Sequence, residues 1–320
     1  MTDFKDRTAG LIVFGAVQIL FGIGALCFIF SFAAASELQS RQGIPPPPRA
    51  AIVTNIVMYA ILACYFFSAG IGSIRRRRWA RALSVVVSAL WLALGIMSII
   101  FLGVLMPHIK QILPPSQGSL MFAILFCTLA VIYVVIPGVL FLFYRSAHVK
   151  ATVDAHDQKI RWTDRVPLPV LALVLLMAFS AVATLAALGY NVVPLFGTIL
   201  TGASATIVLI AFAGLFGFLA VQFYRLKRSA WWTLVLLQFI GLLTGIATVS
   251  MTDFDKMYEQ MGFMTPQVRA MNLTHIYREP VVWFAMGMVW VAFLAWILSL
   301  RTYFDATPPR TRADDVPSPS

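Results

Sequence analysis

Four amide side chains, Gln18, Asn55, Gln222 and Gln238, sit inside otherwise apolar stretches of this chain, with the weaker polar groups of Thr54, Tyr59, Tyr133, Thr233 and Thr244 around them. In hydrocarbon such groups do one of two things. They hydrogen-bond one helix to another, at about 0.6 kcal/mol each, or they line a neutral polar site for a solute. The second use predicts an intramembrane site formed by Asn55 and Gln238 with Gln18 and Tyr59. No Lys, Arg, Asp, Glu or His falls inside the same stretches. Intramembrane ionisable groups carry most proton relays and ion coupling, so coupled transport loses its usual titratable group. Voltage sensing loses its arginine ladder. The chain contains no HExxH, GxSxG, Walker or paired-carboxylate pattern, and no catalytic residue is assigned.

The charged residues gather at the ends of the apolar stretches. Arg75-Arg76-Arg77-Arg78 continues into Trp79 and Arg81, and Arg225, Lys227 and Arg228 form a second cluster. A positive flank anchors a helix on the cytoplasmic side. The same groups attract anionic headgroups at about 1 kcal/mol per basic residue, so Arg75 to Arg78 with Arg225, Lys227 and Arg228 are the predicted anionic-lipid contacts. Between Met251 and Pro280, Phe254, Met257, Tyr258 and Met261 fall at helical spacing opposite Asp253, Asp255, Lys256 and Glu259, the pattern of a helix lying at the membrane interface. Met251, Met257, Met261, Met264 and Met271 with His275 are soft ligands of the kind Cu(I) takes, but they form no compact motif. The spacing of His148 and His156 does not align them on one helical face, so the segment around them, with Asp154 and Asp157, reads as a solvated helical extension. No metal and no cofactor is assigned.

The elements that must position these groups are long apolar helices. The chain is 60% hydrophobic and 12% charged over 320 residues. Apolar runs at residues 10–34, 51–74, 82–106, 120–144, 167–189, 198–224, 229–250 and 281–300 each reach the roughly 20 residues needed to cross about 30 Å of hydrocarbon. They must be helical, because lipid offers backbone groups no partners. Residues 1–35 read as the first helix and not as a cleaved signal, since the apolar run is too long for a signal core. With the N-terminus inside, all but six of the 24 basic residues fall on the inner side, the exceptions being Arg41, Arg49, Lys110, Lys256, Arg269 and Arg278. That bias places both termini in the cytoplasm and suits a bacterial inner membrane. It explains the net charge of +11 without nucleic acid. Cys27, Cys64 and Cys127 lie within the spans, where they read as small packing residues.

Laid over each other without gaps, Arg75–Ile96 and Arg225–Ile246 match at Arg75/Arg225, Arg78/Arg228, Ala80/Ala230, Val85/Val235, Leu92/Leu242, Gly95/Gly245 and Ile96/Ile246. The predicted fold is therefore all-α: a polytopic transmembrane helical bundle of eight spans arranged as two tandem, parallel four-helix repeats. The first half covers residues 1–144, a cytoplasmic linker 145–166 and the second half 167–304. A Pro-, Ser- and Asp-rich tail, 305–320, is predicted to be disordered, and Pro45–Pro48 to be a stiff polyproline segment. Gly241 with Gly245 and Ala213 with Gly217 predict close helix packing, and Pro137 predicts a kink.

Function follows less directly. The absence of a charged intramembrane site, the basic inner surface and the loop helix point to a non-catalytic integral membrane protein of accessory, scaffold or receptor-like type. Its partners would be the bilayer, anionic headgroups on the cytoplasmic face, and a membrane protein or a second copy of itself. The alternative is a transporter or channel for a neutral or lipophilic solute, with Asn55 and Gln238 lining the cleft between the halves. A lipid-acting enzyme ranks third; it would have to draw on His108, His148, His156, His275 and Glu279, no two of which form a known catalytic spacing.

Overall fold

The computed structural model describes residues 5–41, 49–112, 115–264 and 266–305. The Pro45–Pro48 segment and all of the predicted tail except Asp305 fall outside them. The first four membrane-length elements are α1 (Thr8–Arg41), α2 (Arg49–Ile74), α3 (Arg78–Ile112) and the interrupted helix α4 (Pro115–Ala130) and α5 (Ile136–Arg145). A short helix α6 (Ala147–His156) and a single 3-10 turn, Trp162–Asp164, lead to α7 (Leu168–Ala187). A two-stranded hairpin, β1 (Val192–Leu195) and β2 (Thr198–Thr201), precedes α8 (Ala203–Tyr224) and α9 (Arg228–Met251). Three short helices follow, α10 (Phe254–Gln260), α11 (Pro266–Ala270) and α12 (Leu273–Arg278), then α13 (Pro280–Ser299) and α14 (Thr302–Asp305).

Among the described residues eight helical segments are long and apolar enough to cross a membrane, and each overlaps one of the eight runs read from the sequence. Large apolar side chains such as Leu20, Phe30, Leu142, Ile207, Leu243 and Phe284 point outward. On a soluble protein that surface would drive aggregation; in a bilayer it is the normal lipid face. The chain is an integral membrane protein.

The hairpin corrects the all-α expectation in one place. Residues 198–201 belong to it and not to the start of a span. Val192, Val193, Ile199, Leu200 and the flanking threonines favour extended backbone. Phe196 and Gly197 both take positive φ, 49° and 79°. That is what a two-residue hairpin turn with the twist of its strands requires, and it pairs Leu195 with Thr198.

Helices α1 and α2 form one tight pair and α7 and α8 another. The α1–α2 crossing depends on two glycines the sequence reading did not single out. A Cβ on Gly15 would lie 2.8 Å from the Gly70 carbonyl oxygen, and one on Gly70 would lie 2.6 Å from that of Gly15. The predicted small-residue partners Gly217, Gly241 and Gly245 have nothing within 4 Å of where a Cβ would stand. Spacing alone does not say which helix face meets a neighbour.

Pro137 does disturb its helix, through a π-helical turn over Val131–Val135 that separates α4 from α5. A proline ring clashes with the carbonyl four residues back and leaves it without its donor, and a widened turn accommodates both. That carbonyl belongs to Tyr133 and presses on α3 at Gly95, where any Cβ would collide with it.

The turns from α2 to α3 and from α8 to α9 are built alike. Arg76 and Leu226, 150 positions apart, both adopt a left-handed conformation, φ 53° and 54°. The Arg76 and Arg77 N–H groups donate to Ser73 and Gly72 O, and those of Leu226 and Lys227 to Phe223 and Gln222 O.

Candidate functional site

The four polar side chains grouped from the sequence occupy four different surroundings. Gln18, on α1, is buried in a hydrogen-bonded knot. Its Nε2 donates to Ser84 Oγ at 2.9 Å, and its Oε1 accepts from the Tyr144 hydroxyl at 3.3 Å. The Tyr144 hydroxyl also contacts Ser73 Oγ, and the Tyr65 hydroxyl shares Ser84. All four N-terminal spans contribute to the knot, which satisfies its polar atoms internally. Asn55, on α2, turns back on its own helix, its Nδ2 donating to Ala51 O at 2.9 Å. Tyr59 stacks on Phe28 with ring centroids 5.5 Å apart. Gln238, among the described residues, lines a large cavity.

That cavity is a cleft of about 1160 Å³ between α3 and α13, with α7 behind it, Gln238 of α9 on its wall and Phe141 of α5 beside it. Its walls are apolar: Val85, Val86, Ala89, Leu90, Ala93 and Met97 from α3, Ala172 and Leu176 from α7, Val289, Trp290, Phe293 and Trp296 from α13. Leu94, Met97, Ile100, Met286 and Met288 on its rim are exposed, so it opens on the lipid-facing surface. The Gln238 carbonyl accepts from Trp290 Nε1 at 3.1 Å, which ties α9 to α13. No described residue hydrogen-bonds the Gln238 side-chain amide. From Val85 to Phe101 the α3 wall runs about 24 Å at 1.5 Å per residue. The cleft is an elongated greasy slot with one unclaimed amide.

At the end of the molecule that carries the arginines, the linker is not a solvated extension. Val149, Thr152 and Val153 of α6 are buried with Leu11, Leu140 and Tyr144, because spacings of three and four put them on one face. Docking α6 there brings its acidic side onto the arginine run. Arg78 Nε lies 3.1 Å from Asp154 and 3.8 Å from Asp164, and Arg77 lies 3.7 Å from Asp157. Asp157, only 4% exposed, also accepts from the Arg161 guanidinium at 3.3 Å and from the Arg78 backbone N–H at 3.2 Å. Burial alone would push its carboxyl pKa up; the hydrogen bonds from Arg161 and Arg78, with the nearby charges, outweigh it and hold the pKa below the usual range.

His156 Nε2 lies 2.8 Å from Arg76 Nη1 and its Nδ1 lies 2.8 Å from Thr152 O. A carbonyl only accepts and a guanidinium only donates, so this pairing fits the tautomer that carries its proton on Nδ1. Of the seven predicted lipid contacts, Arg76, Arg77 and Arg78 are thus engaged by the linker, and Arg228 pairs with Asp305 at 3.1 Å. Arg75, Arg225 and Lys227 are exposed, with no ion-pair partner among the described residues.

A second, smaller cavity of about 290 Å³ lies behind this network. It is lined by Arg78, Arg81, Lys150, Asp154, Thr163 and Asp164, with Ala82, Val153, Val166, Pro167 and Leu168. Arg81 Nε and Thr163 Oγ1 are buried there without a partner. The sequence offered one hint of it, Arg81 lying one turn past the arginine run.

At the opposite end, the apolar side of α10 packs inward. Phe254 and Met257 are buried with Val192 and Val249, because the hairpin supplies them an apolar partner. Asp255 accepts from the Leu273 and Thr274 N–H groups, capping α12. His275 lies 3.6 Å from Glu279, at the far end from His148 and His156; the His108 side chain falls outside the described residues. Among the described residues no three His, Cys, Asp or Glu side chains gather as a metal site would need. Comparison with protein-family models, with curated proteins and with solved structures finds no match to this chain.

Proposed function

We propose that this is a non-catalytic, receptor-like or accessory membrane protein whose working part is the α3–α13 cleft, and that the cleft holds an elongated lipophilic molecule. The observation that carries this reading is the 24 Å slot with its single unclaimed amide, Gln238. An apolar wall gives a lipophile little net gain over lipid itself, so selectivity must come from shape and from the few polar groups. Filling the slot tests it. Ala93→Trp should lower the co-purifying lipophile, measured by native mass spectrometry, at least tenfold while leaving the melting temperature within a few degrees. Undiminished occupancy in a folded variant would remove the reading.

The transporter alternative uses the same slot and adds movement across the membrane. It is favoured only if reconstituted vesicles exchange the lipophile faster than protein-free ones. We further propose the tandem parallel 4+4 arrangement, supported by the matching left-handed turns at Arg76 and Leu226. Both ends are proposed to lie in the cytoplasm of a bacterial cell, supported by the distribution of basic residues.

A further inference from the structure

The two cavities are neighbours. Leu168 lines both, Ala82 of the polar pocket is one turn from Val85 and Val86 of the slot, and Val166 and Pro167 lead directly to Pro169 and Ala172. We propose that the lipophile is a phosphate-headed lipid, with its phosphate in the polar pocket against Arg81, Lys150 and Thr163 and its chains along the slot. This rests on the reading of the cleft given above.

The charges in the pocket select the head. Arg78 is taken up by Asp154 and Asp164. Arg81 and Lys150 have no ion-pair partner within 4 Å among the described residues, and Thr163, 1% exposed, has a hydroxyl without a partner. An unpartnered guanidinium nitrogen and hydroxyl in a confined space are costly groups. A phosphate oxygen reaching either group accepts its hydrogen bond, and next to Arg81 it brings the opposite charge. The volume of about 290 Å³, set against about 30 Å³ per water, accommodates a phosphoester head and not merely an ion.

The test titrates the delipidated full-length protein in detergent with dioleoyl phosphatidic acid, with dioleoylglycerol, which has the same chains and no phosphate, and with inorganic phosphate, reading occupancy by native mass spectrometry. Phosphatidic acid should bind about tenfold or more tighter than dioleoylglycerol, the scale of a charged hydrogen bond gained, and inorganic phosphate should not compete. Arg81→Gln and Lys150→Gln should each reduce phosphatidic acid toward the dioleoylglycerol level; Lys150 is exposed, so its variant folds even if the Arg81 variant does not. Equal binding of the two lipids would overturn the headgroup inference while leaving the cleft reading intact. Competition by inorganic phosphate would overturn it in favour of a soluble anion. If neither lipid binds, the cleft reading itself fails.

Discussion

Residues 71–96 and 221–246 share a turn and differ in what they pack against. At the first turn, Ser73 and Ser84 join the polar knot with Gln18 and Tyr144, and Gly95 receives the Tyr133 carbonyl. The residues 150 positions on are Phe223, Leu234 and Gly245. Phe223 and Leu234 lie in an apolar cluster with Trp231 and Ile297, and Gly245 faces open space. The first region is therefore closed by hydrogen bonds that run through Gln18 and by the approach of the Tyr133 carbonyl to Gly95. The α9–α13 contact is thin, bridged by indole donors to carbonyls at Trp231 and Trp290. One backbone turn thus leads into α3, which is closed against α1 and the Tyr133 carbonyl on one side and lines the slot on another, and into α9, which reaches the slot at Gln238. Ser88, buried in the N-terminal spans, stands where Gln238 stands in the slot.

The sharpest way to break this contrast is to add one methyl group on each side. Gly95→Ala should destabilise the protein by about 3 kcal/mol or more, because the obstacle is backbone and cannot swing aside. Gly245→Ala should be neutral, or stabilising by up to about 1 kcal/mol through helix propensity. Thermal unfolding in detergent compares the two, and equal effects would mean that α3 and α9 do not differ in this way.

A smaller effect is expected at the knot. Gln18→Leu removes a donor and an acceptor together, leaving Ser84 and Tyr144 short of partners, and should cost about 2 kcal/mol. The reverse exchange in the apolar cluster, Leu234→Ser, buries a hydroxyl where Ser84 would have had Gln18, and should cost at least as much. A knot variant with no effect on the melting temperature would show that these hydrogen bonds are replaceable.

The smallest effect concerns the linker. The Asp157 pKa is held below its ordinary value of 3.8. The stability it contributes is complete above that value and is lost as pH falls through the lower folded-state pKa. Asp157→Asn should cost about 1–2 kcal/mol at neutral pH, the scale of a charged hydrogen bond. It should also flatten the loss of stability between pH 4 and the acid limit. An unchanged acid limb would place Asp157 outside the structural network.

Much of the architecture was legible residue by residue. The eight spans follow from hydrophobicity and length, and the disturbance at Pro137 follows from a missing N–H. The site was not legible in the same way. Gln18, Asn55, Tyr59 and Gln238 look alike as neutral polar residues in apolar runs, yet Gln18 and Asn55 are hydrogen-bonded within the fold and Gln238 lines the slot, because the rotational setting of each helix decides which polar group is satisfied by a neighbour. The arginine run reads as free positive charge until α6 folds back and brings Asp154, Asp157 and Asp164 within ion-pair distance. The hairpin escaped because a short run rich in β-branched residues next to a span looks like more of the span.

The sequence by itself determined that this chain crosses a membrane as helices, since hydrocarbon permits few ways to satisfy a backbone and the required length is counted in residues. It also located the charge, which sits where the apolar runs end. The tertiary structure alone decided which faces meet. Inside a bilayer the flanks of a helix are all apolar, so no amphipathic pattern marks the buried side, and packing is settled by local shape: a glycine beneath a carbonyl, a knot of hydroxyls, or a slot left between α3 and α13.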